Sequence, residues 1–471
     1  MTAASIARTN DLVSEVTAPA GALYPPTVTP PTKRMSLPRF IATFVKNPLA
    51  VVPAAAYEQP ITVARSSRRT LAWVTDPAMI KTILLDRRDI FLKTAQERRV
   101  LGPLLGNGIL TSDGADWKWQ RQTAAPVFRH QDLLDCVPAI CAAAERLVGQ
   151  WRAAEKGIVH AIDRDMTMVT FDVIAETLLP GGHEHVGKNI GHTGRDNIMP
   201  ISWRMMYALF QLPTWLPHPG KWSLGASEQA LRASVLDLIN DRRASTDQHD
   251  DLMQRLMNVR NPETGQPMSD AQLVDNLLTF FMAGHETTAK ALTWTLYLLC
   301  RAPEWEARIV DEIARVAGDG PVEARHIDKL VITQQVLKES MRLYPPAPVI
   351  SRRTAEPVQL GDEMLPANTQ TIIPIYALQR NKLLWEDPGR FDPTRFSAEN
   401  EAKIPRYQYM PFGAGPRICI GMAFAMIEAT AILATLVRAA RFEVRPGYAP
   451  TPISRVTLRP EGGMPMKVFM R

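Results

Sequence analysis

A chain of 471 residues is long for one domain, and length alone suggests about three. Yet no internal repeat, long Gly/Ser linker or charge block divides it after residue 60, so a single domain over 35–471 is expected. With 46% hydrophobic and 22% charged residues the composition excludes a disordered or fibrous chain, and the formal charge of +6 is scattered without a nucleic-acid-binding motif, which excludes nucleic acid as the expected partner.

Residues 1–34 are polar and Pro-rich and read as a disordered tail. The apolar patches between Phe40 and Ala56 are broken by Lys46, Asn47, Pro48 and Pro53, too short for a bilayer span or a signal peptide, so no membrane anchor is expected. Cys136, Cys141, Cys300 and Cys419 show neither C-x-x-C spacing nor the density of a disulfide framework, which fits a reducing cytoplasm. A strand-like run at Thr70–Thr75 precedes helical patterns at Pro77–Leu85 and Thr94–Leu101, and helices then dominate to about residue 345. The glycine-rich segment 181–195 carries His183, His185 and His192, but without a cysteine or a familiar ligand spacing it reads as a solvated loop.

Ser269 with Gln272 forms a capping box, and helical periodicity continues to about Cys300, where Pro303 forbids extension. Asp275, His285, Glu286 and Lys290 within it argue for a helix crossing the protein interior. Beyond residue 345 come short β segments at Val358–Leu365 and Thr371–Ile375, an irregular Pro/Arg-rich stretch, a helix from about Met422 to Ala439, and strands near Arg441–Arg445 and Met466–Met470. The fold class is therefore mainly α with a smaller β-rich part.

Several clusters along this frame carry chemistry. Trp117 and Arg121 share a helix face at i, i+4. In Ala283-Gly284-His285-Glu286-Thr287-Thr288 a glycine weakens the long helix before an acid and two hydroxyls; Thr287 can turn its hydroxyl to the carbonyl of Ala283 and open a groove. Glu339 and Arg342 lie at i, i+3 on a helix ending before Pro345, and Arg395 follows in Pro388–Phe396. Ser351-Arg352-Arg353 sits on a strand after Pro348. Phe412-Gly413-Ala414-Gly415-Pro416-Arg417-Ile418-Cys419-Ile420-Gly421 presents one cysteine in a turn whose three glycines permit φ > 0 and close approach to a flat ligand, with amides free to point at the sulfur.

This decapeptide resembles the haem-binding loop of the cytochrome P450 family, and the resemblance extends over nearly everything from residue 60 onward, including the long central helix over haem. It implies haem b with Cys419 as axial thiolate, Phe412 shielding the sulfur, and Gly421 completing the loop. It further implies Arg417, Trp117, Arg121 and Arg352 on the two propionates, although a one-residue slip would exchange Arg352 for Arg353. Glu286 and Thr287 match the acid–alcohol pair that delivers protons, and small residues at 283 and 284 would leave room for dioxygen. Glu339, Arg342 and Arg395 match a structural cluster holding the cysteine loop. Gln379 stands where many members carry His, with little consequence expected, and Arg417 and Trp117 place the chain nearer the fatty-acid-hydroxylase and eukaryotic-like branch.

The implied activity is insertion of one oxygen atom from O2 into a small apolar substrate of fatty-acid, terpenoid or polyketide type. Phe280, Phe281, Val349, Ile350 and the Pro452-Ile453 turn are the candidate pocket walls. With about fifty residues after the cysteine loop, no reductase domain is expected, and electrons would come from a separate ferredoxin or flavodoxin-type donor. A peroxygenase, a haem-thiolate isomerase or dehydratase, and a non-catalytic haem sensor are the alternatives. The intact Glu286-Thr287 pair argues against the first and the last.

Overall fold

The computed structural model describes residues 22–66, 69–155, 157–177, 204–208, 212–213, 215–216, 221–246, 251–261 and 263–471. The histidine-bearing segment 181–195 lies outside these residues. The architecture is mainly helical, with a five-stranded sheet and three small sheets of two or three strands.

Asp270–Arg301 forms a helix of 32 residues, close to 48 Å at about 1.5 Å per residue. Both halves of the expected capping box form at Ser269 and Gln272, and the helix ends at the Pro303 break. A polar face would strand such a helix at the surface; here Leu273, Leu277, Leu278, Phe281, Leu292, Trp294 and Leu296 are all fully buried. It packs lengthwise on Ile162–Thr177, where Phe171 meets Phe281 edge-on at 5.0 Å. A Cβ on Gly284 would stand 2.8 Å from Ile174 Cδ1. The glycine therefore admits the neighbouring helix as well as thinning the groove.

The five-stranded sheet runs Ile61–Arg65, Thr70–Val74, Gln370–Ile373, Ile350–Thr354, Phe91–Lys93 in spatial order. Its inner pair, Trp73 beside Ile372, is parallel and the rest antiparallel. The register sets Lys93 directly opposite Arg352. The expected helix at 77–85 holds α geometry only over Pro77–Lys81 and then widens into a π turn at Thr82–Asp86. That at Thr94–Leu101 runs on to Leu105 before Gly106 at φ +54°. The second β segment stops at Ile373, because Pro374 lacks a ladder donor and starts a helical turn at Ile375.

Disorder does not extend to residue 34 as expected. The Leu23 carbonyl accepts from the Phe391 amide at 2.9 Å, the Pro26 carbonyl from the Tyr344 hydroxyl at 2.7 Å, and the Pro31 carbonyl from the Ala54 amide at 3.0 Å, while Val28 is buried. Proline-rich sequence here adopts an extended strap whose carbonyls remain free to accept, which composition alone does not distinguish from a solvated tail.

Met422–Ala439 is long and apolar enough to cross a membrane by length and composition, but it is mostly buried inside the protein, as a core helix is.

Candidate active site

Between the long helix and the Phe412–Gly421 loop lies a cavity of about 1470 Å3. A single small-molecule site usually occupies ~300–1,000 Å3, so this one has room for a flat cofactor and a substrate together. Its walls are largely apolar, and Cys419, Thr287, Glu286, Trp117, Arg121, Arg352, Arg417, Phe412 and Gly421 all reach it.

The cysteine loop owes its shape to two of its three glycines. Gly413 and Gly415 adopt φ of +71° and +72°, and a Cβ on Gly415 would come within 2.6 Å of the Leu84 carbonyl oxygen. The Cys419 amide closes the loop on the Phe412 carbonyl at 2.9 Å. Gly421 differs from expectation: at φ −88° it needs no positive-φ freedom and serves as the N-cap of Met422–Ala439. Its amide points back at the cysteine sulfur. Cys419 is exposed to the cavity although protein surrounds it. Burial pushes its thiol up, while the Gly421 amide and the Arg121 guanidinium pull it down. The positive end of the following helix acts in the same sense as these two.

Charge around the cavity rim is unbalanced. Lys93 pairs with Glu97 at 3.1 Å, and Arg417 pairs with Asp113, donates to the Ser112 carbonyl and stacks over the Trp117 ring at 4.2 Å. Arg121 and Arg352 have no carboxylate at ion-pair distance among the described residues. Each donates to a backbone carbonyl, Ile418 at 2.7 Å and Ser351 at 2.8 Å. Burial lowers the pKa of both arginines. Two cations thus lack counter-charges, and one of them faces Lys93 across adjacent strands, where like charges repel. A ligand with two carboxylates removes both deficits. Of the two adjacent arginines, Arg352 lines the cavity, whereas Arg353 turns away to Asn368. A flat dianionic ligand with an atom that binds anionic sulfur fits these residues, and haem is such a ligand.

On the opposite wall, Thr287 Oγ1 donates to the Ala283 carbonyl at 2.7 Å, the bond the sequence anticipates, and Ala283 is exposed to the cavity. Thr287 Oγ1 spends its proton on the helix and keeps lone pairs for a donor in the cavity. Glu286 departs from a simple acid–alcohol pair. Its Oε1 accepts from Thr457 Oγ1 at 2.8 Å and from Arg459, and no hydrogen bond joins it to Thr287 among the described residues. Burial pushes this carboxyl up, but Arg459, Lys290 and the Thr457 hydroxyl outweigh it and hold it below its ordinary value. Glu286 is accordingly an ionised, anchored carboxylate.

Of the expected pocket walls, Phe280, Val349, Ile350 and Ile453 line the cavity. Phe281 does not: it is fully buried between Phe171 and His285 on the helix's far side. One residue of sequence is about 100° of helix, enough to reverse its direction.

The support behind the loop assembles as expected, with additions. Glu339 accepts from Arg342 Nε at 2.6 Å and Nη2 at 2.8 Å, both side chains wholly buried, and Arg395 Nε stands 3.7 Å away. Gln379, expected to matter little, is fully buried. It donates to the Met341 and Arg342 carbonyls at 3.0 Å each and accepts from the Met410 amide at 2.9 Å, joining the ion-pair helix to the entrance of the cysteine loop. Thr457 and Arg459 were not singled out from sequence either, and Lys290 only as a polar residue within the long helix. No motif marks them; only the return of Leu458–Pro460 to the long helix brings the first two to Glu286.

The family model for cytochrome P450 matches residues 47–467. Cytochrome P450 714A2 of Arabidopsis thaliana is 31% identical over 417 residues, covering 84% of this chain and 79% of that protein. A cytokinin hydroxylase of the same plant is 30% identical over 404 residues, 83% and 77% of the two chains. Cyclooctat-9-en-7-ol 5-monooxygenase of Streptomyces melanosporofaciens is 31% identical over 375 residues, 79% of each. The chain belongs to the cytochrome P450 family, whose members hold haem through an axial cysteine thiolate, and it is a monooxygenase of that family. Such enzymes use O2 and a redox partner and bind apolar substrates.

Proposed function

We propose that the protein hydroxylates a terpenoid-like small molecule, taking electrons one at a time from a separate ferredoxin or flavodoxin-type protein in the cytoplasm. The observation that carries the reading is the facing of Cys419 and Thr287 across one apolar cavity whose rim holds two uncompensated arginines. The volume of that cavity and the cyclooctatenol substrate named for the Streptomyces relative support a bulky hydrocarbon over an extended chain. Four free cysteines support a reducing compartment, and the formal charge of +6 supports an acidic electron donor.

Cys419 supplies the sulfur; the Gly421 amide, Arg121 and the helix that follows partly offset the burial that raises its thiol and so favour the thiolate that haem iron would bind. Arg121 and Arg352 bind the two carboxylates of haem, with Arg417 held against Trp117 and Asp113 to close the rim. Haem bound there would supply the activation of dioxygen, which is the source of the inserted oxygen atom. Phe412 excludes water from the sulfur side, while Phe280, Val349 and Ile453 hold the substrate carbon on the other side. Thr287 Oγ1 accepts a hydrogen bond from cavity water, and Glu286, ionised and anchored by Arg459, takes protons from solvent and passes them on through that water.

The test is reconstitution. Reduced, carbon-monoxide-treated protein is expected to show the red-shifted Soret band of thiolate ligation, and terpenoid ligands to displace iron-bound water in a spectral screen against fatty acids and polyketides. Product should form with a ferredoxin or flavodoxin system and not with peroxide alone. Thr287→Ala should divert reducing equivalents to peroxide. Product formation without an electron donor, or unchanged coupling in Thr287→Ala, overturns the reading.

A further inference from the structure

Arg121 and Arg352 find their counter-charges in the two carboxylates of haem, but a third cation that reaches the cavity has none. Arg455 projects from the turn between the paired strands Pro452–Ser454 and Leu458–Pro460, and it lines the cavity. Its side chain is half-buried, and the residue that follows, Val456, is 40% exposed, so this turn stands where the cavity meets the surface.

Only one of its nitrogens is spent. Nη1 donates to the Lys46 carbonyl at 2.9 Å and to the Ser454 carbonyl at 3.2 Å, and Nη2 has no acceptor among the described residues. Nε is closed to water and has no acceptor there either. No carboxylate of the described residues lies at ion-pair distance, whereas Arg459 is spent on Glu286 and Arg204 on Glu228 at 2.6 Å. Burial and the neighbouring Arg459 lower the pKa of Arg455, and Glu461, further off, acts the other way. The end of helix Leu37–Lys46 that Nη1 touches carries about half an elementary negative charge at most. The guanidinium therefore remains undercompensated.

The turn that carries it is held in place. Asn47, buried, donates through Nδ2 to the Pro452 carbonyl at 3.0 Å and accepts from the Ser454 amide at 3.2 Å, tying the turn to the end of Leu37–Lys46. The Arg455 amide closes the turn on the Thr457 carbonyl at 3.0 Å. From here the hairpin leads inward: Ile453 stands in the apolar wall, and Thr457 reaches Glu286, the neighbour of Thr287 on the long helix. A cation on so fixed a support loses little further freedom when a ligand arrives.

We propose that Arg455 binds a carboxylate of the substrate, which is a terpenoid-like acid lying with its charged end at the cavity mouth and its hydrocarbon skeleton reaching inward past Ile453. The carboxylate takes Nη2, and a small turn of the guanidinium brings Nε to its second oxygen, the two-bond geometry in which arginine holds such a group best. Its charge supplies what Arg455 lacks and offsets the repulsion between Arg455 and Arg459. The carbon presented to the cysteine side is then one remote from the carboxylate. This assignment deepens the monooxygenase reading above and rests on it.

The test compares haem-loaded wild type, Arg455→Gln and Arg455→Lys by calorimetric titration with abietic acid, a diterpenoid acid, and with its methyl ester. Wild type is expected to bind the acid at least about tenfold more tightly than the ester, the strength of a charge-assisted pair. Arg455→Gln should lose that preference while holding the ester within about twofold of wild type. Arg455→Lys, a point charge without the fork, should keep part of it. Haem content should match wild type in both variants, which separates Arg455 from Arg121 and Arg352. Titration needs no turnover, so an acid preference that depends on Arg455 supports the site even if hydroxylation fails in the coupled assay. Equal affinity for acid and ester in wild type, no binding of the acid, an equal loss of both ligands in Arg455→Gln, or loss of haem from that variant overturns the proposal.

Discussion

Replacing Glu339 with alanine removes the only carboxylate at ion-pair distance from Arg342 among the described residues. Arg342 is fully buried, and its Nη1 is already committed to the Gln379 and Pro388 carbonyls at 2.8 Å each, while Nη2 also serves the Arg390 carbonyl at 2.9 Å. Without Glu339 the guanidinium keeps its carbonyl acceptors but loses its counter-charge, and the Asp392 amide loses the acceptor it reaches at 2.8 Å. Breaking a buried ion pair from one side costs about 3–5 kcal/mol, and an orphaned amide about 1–3 more. The sum approaches the whole stability of many domains, ~5–15 kcal/mol. Glu339→Ala should therefore be recovered without haem and with a urea midpoint far below wild type. Glu339→Gln keeps an acceptor for Asp392 and should fall between the two. A haem-loaded Glu339→Ala protein whose unfolding free energy lies within about 1 kcal/mol of wild type would refute this reasoning.

Gly415→Ala forces a side chain onto a φ of +72° with 2.6 Å to the Leu84 carbonyl, so the loop must shift; haem occupancy and the thiolate Soret band should both drop, while Gly421→Ala, at φ −88°, should spare them. Arg352→Leu should weaken haem retention in a transfer assay to an acceptor protein, and Arg353→Leu should not, because only Arg352 lines the cavity. Glu428 makes stability pH-dependent with a definite sign. Its folded value, about 8, lies above the unfolded 4.5, so the folded state holds the extra proton between them, and stability contributed by the neutral carboxyl is full below 4.5 and declines as pH rises towards 8. At pH 7 the contribution lost is about 3 kcal/mol. Urea midpoints of Glu428→Gln should lack that decline relative to wild type, and parallel pH profiles would contradict the assignment.

The parts legible in sequence were those where local chemistry and periodicity agree. Ser269 and Gln272 announce the long helix and Pro303 ends it, so its bounds follow from capping alone. Met422–Ala439 is mostly apolar and forms a helix over about the expected stretch. Cys419 could be found because its loop needs glycine at two positions for backbone reasons, which leaves a readable spacing. What stayed hidden depends on segments distant in sequence. The strap at residues 22–31 looks disordered because its partners, Tyr344 and Phe391, lie more than 300 residues away. Phe281 and Phe280 are adjacent and equally apolar, and only tertiary packing, of Phe281 on Phe171 and of Phe280 on Phe128, separates them. The anchoring of Glu286 is invisible until Leu458–Pro460 folds back with Arg459.

Those distant contacts also explain why the two halves of the site carry opposite charge logic. On the cysteine side, four cations (Lys93, Arg121, Arg352, Arg417) meet two carboxylates (Glu97, Asp113), a surplus that costs folding energy until a dianionic ligand arrives and that makes ligand binding and folding mutually reinforcing. On the long-helix side Glu286 is matched by Arg459 and supported by Lys290, so its charge is settled before any ligand enters. The first half is thereby built to capture a ligand, and the second has its resting charge in place before one enters. Adding an acid at the rim should discriminate the two: Arg121→Glu should cost haem affinity while raising the stability of the haem-free protein relative to wild type. A variant that loses stability in the haem-free form would show that the cationic surplus is not a source of strain.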